Sequence, residues 1–232
     1  MKRLLVLLGA FWTGAQAHDI ITTPITFDRE IARIFQARCL SCHHQDGAAF
    51  SLKTYDEARP WAVAIQEEVL SRRMPPWGAV KGFGDFRNDQ ALTPEQLEVI
   101  TSWADGGAPE GEPKDLPPEP KPAPASPPLH HHGEIAVSGE LRLARPFRLD
   151  GLLPQKVPEK ASFQMTAELP DGSIEPLVWL EDYLSKFGHV FLLRNPLELP
   201  KGTVIHGVPP GASVILLPPA PEEASEPAAH AE

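Results

Sequence analysis

The spacing of apolar residues predicts different structure in the two halves of the chain. In the first half, apolar residues recur every three or four positions, as they do on one face of an amphipathic helix. Residues 27–39, FDREIARIFQARC, place Ile31, Ile34 and Phe35 on such a face. Residues 54–73 and 92–107 repeat this period. We therefore expect three helical segments between residues 26 and 109.

Two of these helices carry recognisable end signals. Each begins with a threonine followed three residues later by Glu or Gln, the pattern of a capping box. The two pairs are Thr54 with Glu57 and Thr93 with Gln96. Pro94 then occupies the first helical position, and Gly106 and Gly107 end the last helix.

The pattern changes after a proline-rich stretch. Residues 108–129, APEGEPKDLPPEPKPAPASPPL, contain almost no large apolar side chains and predict an extended, semi-rigid linker. From residue 133, short runs alternate apolar and polar positions, and Pro170-Asp171-Gly172 is typical of a hairpin turn. Five to seven such runs predict a small antiparallel sandwich or barrel.

The first residues of the chain have the pattern of a targeting signal. Residues 1–17, MKRLLVLLGAFWTGAQA, combine a basic start, a short apolar run and a small-x-small end, the pattern of a cleavable signal peptide. We expect an exported protein, periplasmic or extracellular in a bacterium, that does not span the membrane after cleavage. Removal of Lys2 and Arg3 takes the formal charge from −10 to −12, which disfavours nucleic acid as a partner.

The only two cysteines lie in RCLSCHHQDG, residues 38–47. A thioredoxin-like motif would follow a strand in a βαβ unit, and the pattern predicts none here. A zinc site would need further ligands, and the chain has no second cysteine pair. A disulfide would close only a tiny loop and leave the adjacent histidine unexplained. Cys-x-x-Cys-His is the motif of covalent c-type haem attachment.

This spacing suits haem chemistry. Cys39 and Cys42 can reach the two vinyl groups of one porphyrin edge from a single helical turn, and His43 can then bind the iron as proximal ligand. Because His44 points about 100° away around the helix, we interpret it as a surface neighbour. Met74 is the candidate distal ligand, since it is the only methionine after the initiator and before the linker. Pro75 and Pro76 stiffen the chain beside it.

Three further segments carry a family resemblance. Around the haem motif stand SLKTYDEARPWAVAI (51–65), RRMPPWG (72–78) and WADGGAPEG (103–111). Together they resemble the haem domain attached to bacterial relatives of copper type II, ascorbate-dependent monooxygenases, which has the monohaem class I cytochrome c fold. The resemblance covers about residues 27–117. It implies that Cys39, Cys42, His43 and Met74 hold the cofactor and that the first and last helices cross near its edge.

The expected fold class follows from these observations. It is an all-α cytochrome c domain, then a proline-rich linker, then a small all-β sandwich-like domain. The boundaries are a signal peptide at 1–17, a haem domain at 18–107, a linker at 108–132, a β-domain at 133–218 and a disordered tail at 219–232. Segments such as LPKGT (199–203) also distantly resemble the sandwich of the monooxygenase-like proteins, although this region is too short for both of their domains.

Several residues are weaker candidates. Tyr55, Trp61 and Trp77 are expected to pack in a core or line the haem pocket, and Arg72 with Arg73 to be solvated or to steer a partner. Copper is not expected in the second domain, because no convergent ligand set is evident. The residues with suitable side chains are His18, His130-His131-His132, Met165, His189 and His206.

The function expected is single-electron transfer to or from a redox protein by one covalent haem c, without substrate turnover. Ligation by histidine and methionine favours the ferrous state and raises the reduction potential. The alternative is a haem or copper oxidoreductase, peroxidase-like or an oxygenase accessory, in which the β-domain binds metal or substrate. That alternative requires an open iron position or bound copper.

Overall fold

A computed structural model describes residues 23–119 and 133–220. The predicted signal peptide, His18, His130-His131-His132 and most of the predicted tail lie outside these residues. The described residues form mainly β structure, in two four-stranded antiparallel sheets, accompanied by short helices.

The helices belong mainly to the first half. A π-helical turn, Phe27–Ile31, leads into the first of four α-helices: α1 Ala32–Arg38, α2 Tyr55–Ala58, α3 Ala62–Leu70 and α4 Pro94–Asp105. Short 3-10 turns lie at Arg59–Trp61, Pro113–Asp115 and Ser185–Phe187. Both predicted capping boxes are present, because the threonine side chains accept from the Glu57 and Gln96 amides and those side chains bond back.

An aromatic core joins the first and last helices. The ring of Trp103, on α4, lies 6.2 Å from that of Phe27 and 6.4 Å from that of Phe35. The indole Nε1–H of Trp103 donates to the Pro109 carbonyl at 3.0 Å, and Phe27 N–H donates to the same carbonyl at 2.9 Å. The first residues of the expected linker therefore pack against the helices. We call Phe27–Leu70 with α4 the helical region.

The strands form two sheets that share one core. In chain order they are β1 Ile135–Val137, β2 Leu141–Arg142, β3 Phe147–Lys156, β4 Ala161–Glu168, β5 Ile174–Tyr183, β6 Phe191–Leu199, β7 Val204–His206 and β8 Ser213–Leu217. One sheet has the order β1-β8-β3-β6 and the other β2-β7-β4-β5. Leu149 and Val214 from the first sheet and Met165 and Val178 from the second are fully buried in the common core.

The predicted hairpin turn joins β4 to β5. Glu168 pairs with Ile174, and Leu169 N–H donates to the Ser173 carbonyl at 2.8 Å across the turn. Gly172 has a φ of 86°, which glycine adopts without the steric penalty other residues incur. The Pro-Asp-Gly signal is thus confirmed as the connection between these two strands.

Residues 77–88 lie between α3 and α4 in the chain but pack on the sandwich; we call them the strap. Ala79 bridges Leu180 on β5, and Phe86 bridges Leu193 on β6. Val80 N–H donates to the Trp179 carbonyl at 2.9 Å. The side chains of Trp77, Ala79 and Phe86 are buried in the sandwich core. The strap therefore extends the sandwich and ties it to the helical region.

The expected fold class is wrong. The first half is not an all-α cytochrome c domain followed by a separate β-domain, because the described chain is mostly β and its helices are short, the longest having 12 residues. The physical reason is the strap, whose apolar side chains are buried by strands almost 100 residues later in the chain. The periodicity of a short stretch of sequence cannot predict pairing between residues so far apart in the chain.

Within residues 23–119 and 133–220, no helix has the length and apolar content needed to cross a lipid bilayer.

Candidate functional site

The Cys-x-x-Cys-His motif forms a tight turn directly after α1. Cys39 N–H donates to the Phe35 carbonyl at 2.8 Å, which continues the helical hydrogen bonding for one residue. Cys42 and His43 N–H groups then donate to the Cys39 carbonyl at 3.1 and 2.9 Å. One turn of backbone therefore carries both thiols and the imidazole, as the sequence predicted. We call residues 39–43 the attachment turn.

The two cysteines are unpaired thiols with different surroundings. Cys39 packs against the helical core, and burial raises the pKa of its thiol to about 12, with smaller effects from Cys42 and Arg38. Redox-active cysteines need a lowered pKa, because the thiolate is the reactive form. The raised pKa of the Cys39 thiol therefore disfavours the redox interpretation of the motif.

The imidazole of His43 is fixed by the loop that follows. Its Nδ1 lies 2.9 Å from the Phe50 carbonyl oxygen. A carbonyl can only accept, so Nδ1 carries the proton and the other ring nitrogen, Nε2, keeps its lone pair. A hydrogen bond from one ring nitrogen to a carbonyl is the usual way in which proteins orient a metal-binding histidine. His43 is therefore prepared to donate Nε2 to a metal.

Gly47 allows this loop to close over the turn, and sequence reasoning missed it. A Cβ at Gly47 would clash with the Cys42 carbonyl and lie 2.9 Å from the His44 carbonyl. The Gly47 and Ala49 N–H groups donate to those two carbonyls, of His44 and Cys42 respectively. The available signal was the Asp46-Gly47 dipeptide, which is typical of turns.

An exposed aromatic pair lies beside His43. The Phe50 ring packs edge-on against the imidazole at 5.1 Å and stacks on Trp61 at 4.7 Å. Phe50 is 50% exposed and Trp61 46% exposed, which is high for two large apolar side chains in contact. Apolar surface of this kind, next to a histidine whose Nε2 keeps its lone pair, suits the face of a planar apolar cofactor.

Met74 borders a cleft between the helical region and the sandwich. It is half-buried and packs on the same helical core as Cys39. The cleft has a volume of about 910 Å³, and Leu92 and Leu97 contribute apolar lining on the helical side. Arg38, which precedes Cys39, donates to the Asp89 carbonyl, so the chain after the strap is tied to the attachment turn.

The weaker candidates divide between the two cores. Tyr55 packs on Phe27 in the helical core, and its hydroxyl donates to the Ala108 carbonyl at 3.0 Å. Trp77 is buried in the sandwich core, against Phe191 at 4.7 Å. Arg73 forms a bidentate ion pair with Glu68 on the surface.

Three candidate copper ligands, Met165, His189 and His206, lie within the described residues, and each has different surroundings. In the part of the chain that the structure describes, no three His, Cys, Asp or Glu side chains form a group that could hold a metal ion. Met165 is fully buried among apolar side chains, and His206 lies between Glu140 and Glu168. His189 Nε2 is engaged by the Pro76 carbonyl at 2.9 Å.

No protein-family model matches this chain, and a search of curated proteins finds no match to it.

Proposed function

We propose that this chain is an exported c-type cytochrome that transfers single electrons to or from a redox partner. Cys39 and Cys42 would hold one haem through two thioether bonds. His43 would be the proximal iron ligand and Met74 the distal ligand. The proposal concerns the haem site and its chemistry, and it does not depend on the overall fold being that of a class I cytochrome c.

The observation that carries the proposal is the combination of the attachment turn with the His43–Phe50 hydrogen bond. The turn places two thiols and one imidazole on a single turn of backbone. The hydrogen bond of 2.9 Å leaves Nε2 as the only ring nitrogen with a lone pair. A dithiol redox site would require neither the adjacent histidine nor its orientation, and a structural zinc site would need a fourth ligand.

The surroundings of the turn fit a haem. Cys39 is a neutral thiol that packs against the apolar helical core. This setting suits a cysteine that would become a buried thioether. Phe50 and Trp61 offer an aromatic surface that would exclude water from one side of the site. A bound haem would supply an iron that alternates between ferric and ferrous states and so carries one electron.

Met74 is suited to the distal position by its chemistry and its setting. A thioether is a soft ligand without a proton, so it can bind iron without a change of protonation. Met74 is partly buried on the helical core, beside the cleft and before two prolines. Occupation of the sixth position by Met74 would leave no site for substrate, which favours electron transfer over the peroxidase-like alternative.

Charge indicates the kind of partner. The chain without its first 17 residues has a formal charge of −12, that is, −10 minus the two charges of Lys2 and Arg3. Such a surface speeds encounters with positively charged proteins by electrostatic steering. Redox partners of this type form small, short-lived interfaces.

The proposal is tested by expressing the full chain together with haem-attachment machinery. Haem that stays with the polypeptide after denaturation is then measured by mass spectrometry in the wild type, in Cys39→Ala/Cys42→Ala and in Ser41→Ala. Ser41 lies between the two cysteines and is exposed, so its variant controls for disturbance of the turn.

We expect one covalent haem per chain in the wild type and in Ser41→Ala, and none in the double variant. A wild-type chain without covalent haem, or a double variant that retains it, would overturn the proposal.

A further inference from the structure

His189 contacts the chain two residues beyond Met74. Its Nε2 lies 2.9 Å from the Pro76 carbonyl oxygen, and since a carbonyl only accepts, Nε2–H is the donor. His189 lies between the 3-10 turn Ser185–Phe187 and strand β6, 113 positions away from Pro76 in the chain. The sandwich thus reaches directly to the segment that carries the distal-ligand candidate.

Two prolines deprive the segment after Met74 of backbone hydrogen-bond donors. Pro75 and Pro76 have no backbone N–H, so neither can donate to a neighbouring strand or helix. Met74 N–H donates to the Glu68 carbonyl at 3.2 Å, which holds the segment on the side of α3. The Pro76 carbonyl is the acceptor through which the sandwich holds the other side.

The imidazole of His189 is itself held in place. It packs edge-on against Trp77 at 5.1 Å, and Trp77 packs on Phe191 of β6 at 4.7 Å. Burial lowers the pKa of His189, only partly offset by the bond to Pro76, which favours the neutral ring. A neutral ring protonated at Nε2 is the tautomer that this hydrogen bond requires.

Further hydrogen bonds join the strap to the sandwich. Glu181 N–H donates to the Gly78 carbonyl at 2.9 Å, immediately after Trp77. Farther along, Arg87 pairs with Asp150 through two hydrogen bonds of 2.9 and 2.7 Å. The chain is therefore fixed from Pro76 onward, and His189 is the first of these contacts after Met74.

We propose that His189 is a positioning residue for Met74: by holding the Pro76 carbonyl, it keeps the thioether at the iron and makes the sandwich a support for the distal ligand. This inference rests on the proposed function, because it concerns a ligand of the same haem. In this role the sandwich contributes to the haem site and needs no metal or substrate bound to the sandwich itself.

External ligands would compete with Met74 for the iron. A methionine ligand stays bound only while its loop is ordered, and ordering a loop costs conformational entropy. Loss of one hydrogen bond changes such an equilibrium roughly two- to tenfold. An external ligand that must displace Met74 should therefore bind roughly two- to tenfold more tightly when His189 no longer holds the loop.

The test uses the haem-loaded full chain and two substitutions. His189→Phe keeps a ring against Trp77 but removes the donor, whereas His189→Gln keeps an amide donor. His206→Phe, on β7, controls for loss of a histidine from the sandwich. Imidazole affinity of the ferric protein, the long-wavelength methionine–iron band and hydrogen exchange of the peptide containing Met74 and Trp77 are measured in each.

We expect tighter imidazole binding, a weaker band and faster exchange in His189→Phe, with His189→Gln and His206→Phe near the wild type. If His189→Phe lowers only the melting temperature and leaves imidazole affinity and exchange unchanged, its role is structural and the inference is overturned. A wild type with covalent haem but no methionine–iron band overturns the Met74 assignment and this inference with it. Absence of covalent haem overturns the proposed function itself, so the three failures are distinguishable.

Discussion

The attachment turn and the Met74 segment are held in place by different parts of the molecule. The attachment turn is stabilised by residues close to it in sequence, from Phe35 to Leu52, whose N–H donates to the His43 carbonyl at 3.1 Å. The Met74 segment is held on one side by Glu68 of α3 and on the other by His189, which lies 113 positions after Pro76 in the chain. The proximal side of the proposed site is therefore a local structure, and the distal side is a product of tertiary packing.

This difference predicts that a substitution should affect one side of the proposed site without affecting the other. Substitutions in the sandwich should weaken the methionine ligand while covalent haem is retained, because the backbone hydrogen bonds of the attachment turn come from residues 35–52. Substitutions in the loop after the turn should lower the yield of covalent haem and leave the strap unchanged.

Phe191→Ala should have the largest effect on the distal side. Phe191 is fully buried and packs on Trp77 and Phe86, so its truncation removes the support of the strap. Loss of a buried phenylalanine costs about 3–5 kcal/mol of unfolding free energy. We expect loss of the methionine–iron band with covalent haem retained, measured by optical spectra and chemical denaturation. The matched control is Phe147→Ala, because Phe147 is also a buried phenylalanine, on β3. If Phe147→Ala loses the methionine–iron band to the same extent, the strap has no special role in holding Met74.

Asp150→Ala should have the next largest effect. Its carboxylate, 8% exposed as a residue, accepts two hydrogen bonds from Arg87 of the strap. Hydrogen bonds to charged groups contribute more than neutral ones, and we expect a loss of about 2–3 kcal/mol. Asp85→Ala breaks the exposed pair of the strap with Arg194 and should cost below about 1 kcal/mol. Denaturant unfolding measures both, and equal costs would contradict this ranking.

Gly47→Ala should damage the proximal side alone. The new methyl group would meet the Cys42 and His44 carbonyls, and the backbone must move to accept it. Overpacking of this kind costs roughly 1–3 kcal/mol, and here we expect the lower half of that range. The yield of covalent haem should fall, while the exchange protection of the strap stays unchanged. Ala48→Ser is the exposed neighbouring control, and an unchanged haem yield in Gly47→Ala would count against the role of this loop.

Asp28→Asn should produce the smallest effect, in the helical region. Burial raises the pKa of Asp28 above its ordinary value of 3.8, with smaller contributions from Asp115 and Glu112. A raised folded-state pKa gives stability that is present below the unfolded value and lost as the pH rises through the folded value. The neutral amide should therefore stabilise the protein by about 1 kcal/mol at pH 7, and by less as the pH approaches 4. Melting temperatures of the wild type and Asp28→Asn between pH 4 and pH 7 measure this difference in stability. A gain in stability that does not depend on pH would contradict burial of the Asp28 carboxylate as its cause.

The sequence predicted features whose causes are local. Capping boxes, the hairpin at Pro170-Asp171-Gly172 and the attachment turn depend on residues within a few positions of one another, and the structure contains all three. Phe50 and Gly47 escaped notice because their roles depend on a loop closing over the turn, which no periodic pattern records.

The strap escaped notice for a different reason. Glycines at 78, 82 and 84 interrupt its alternation of apolar residues, and its partners lie on β5 and β6. Interactions over such long separations in sequence depend on burial against neighbours that local propensity does not identify. The error in fold class and the missed role of His189 have this same origin.

The most direct test of the central claim is the ferric optical spectrum of the haem-loaded wild type beside that of Met74→Leu, which keeps a similar side-chain volume. We expect low-spin haem with a weak long-wavelength methionine–iron band in the wild type. In Met74→Leu the haem should stay covalently bound, the band should vanish and cyanide should bind readily. A wild type that is high-spin, or a variant that keeps the band, would contradict the assignment of Met74 and with it the closed, electron-transferring site.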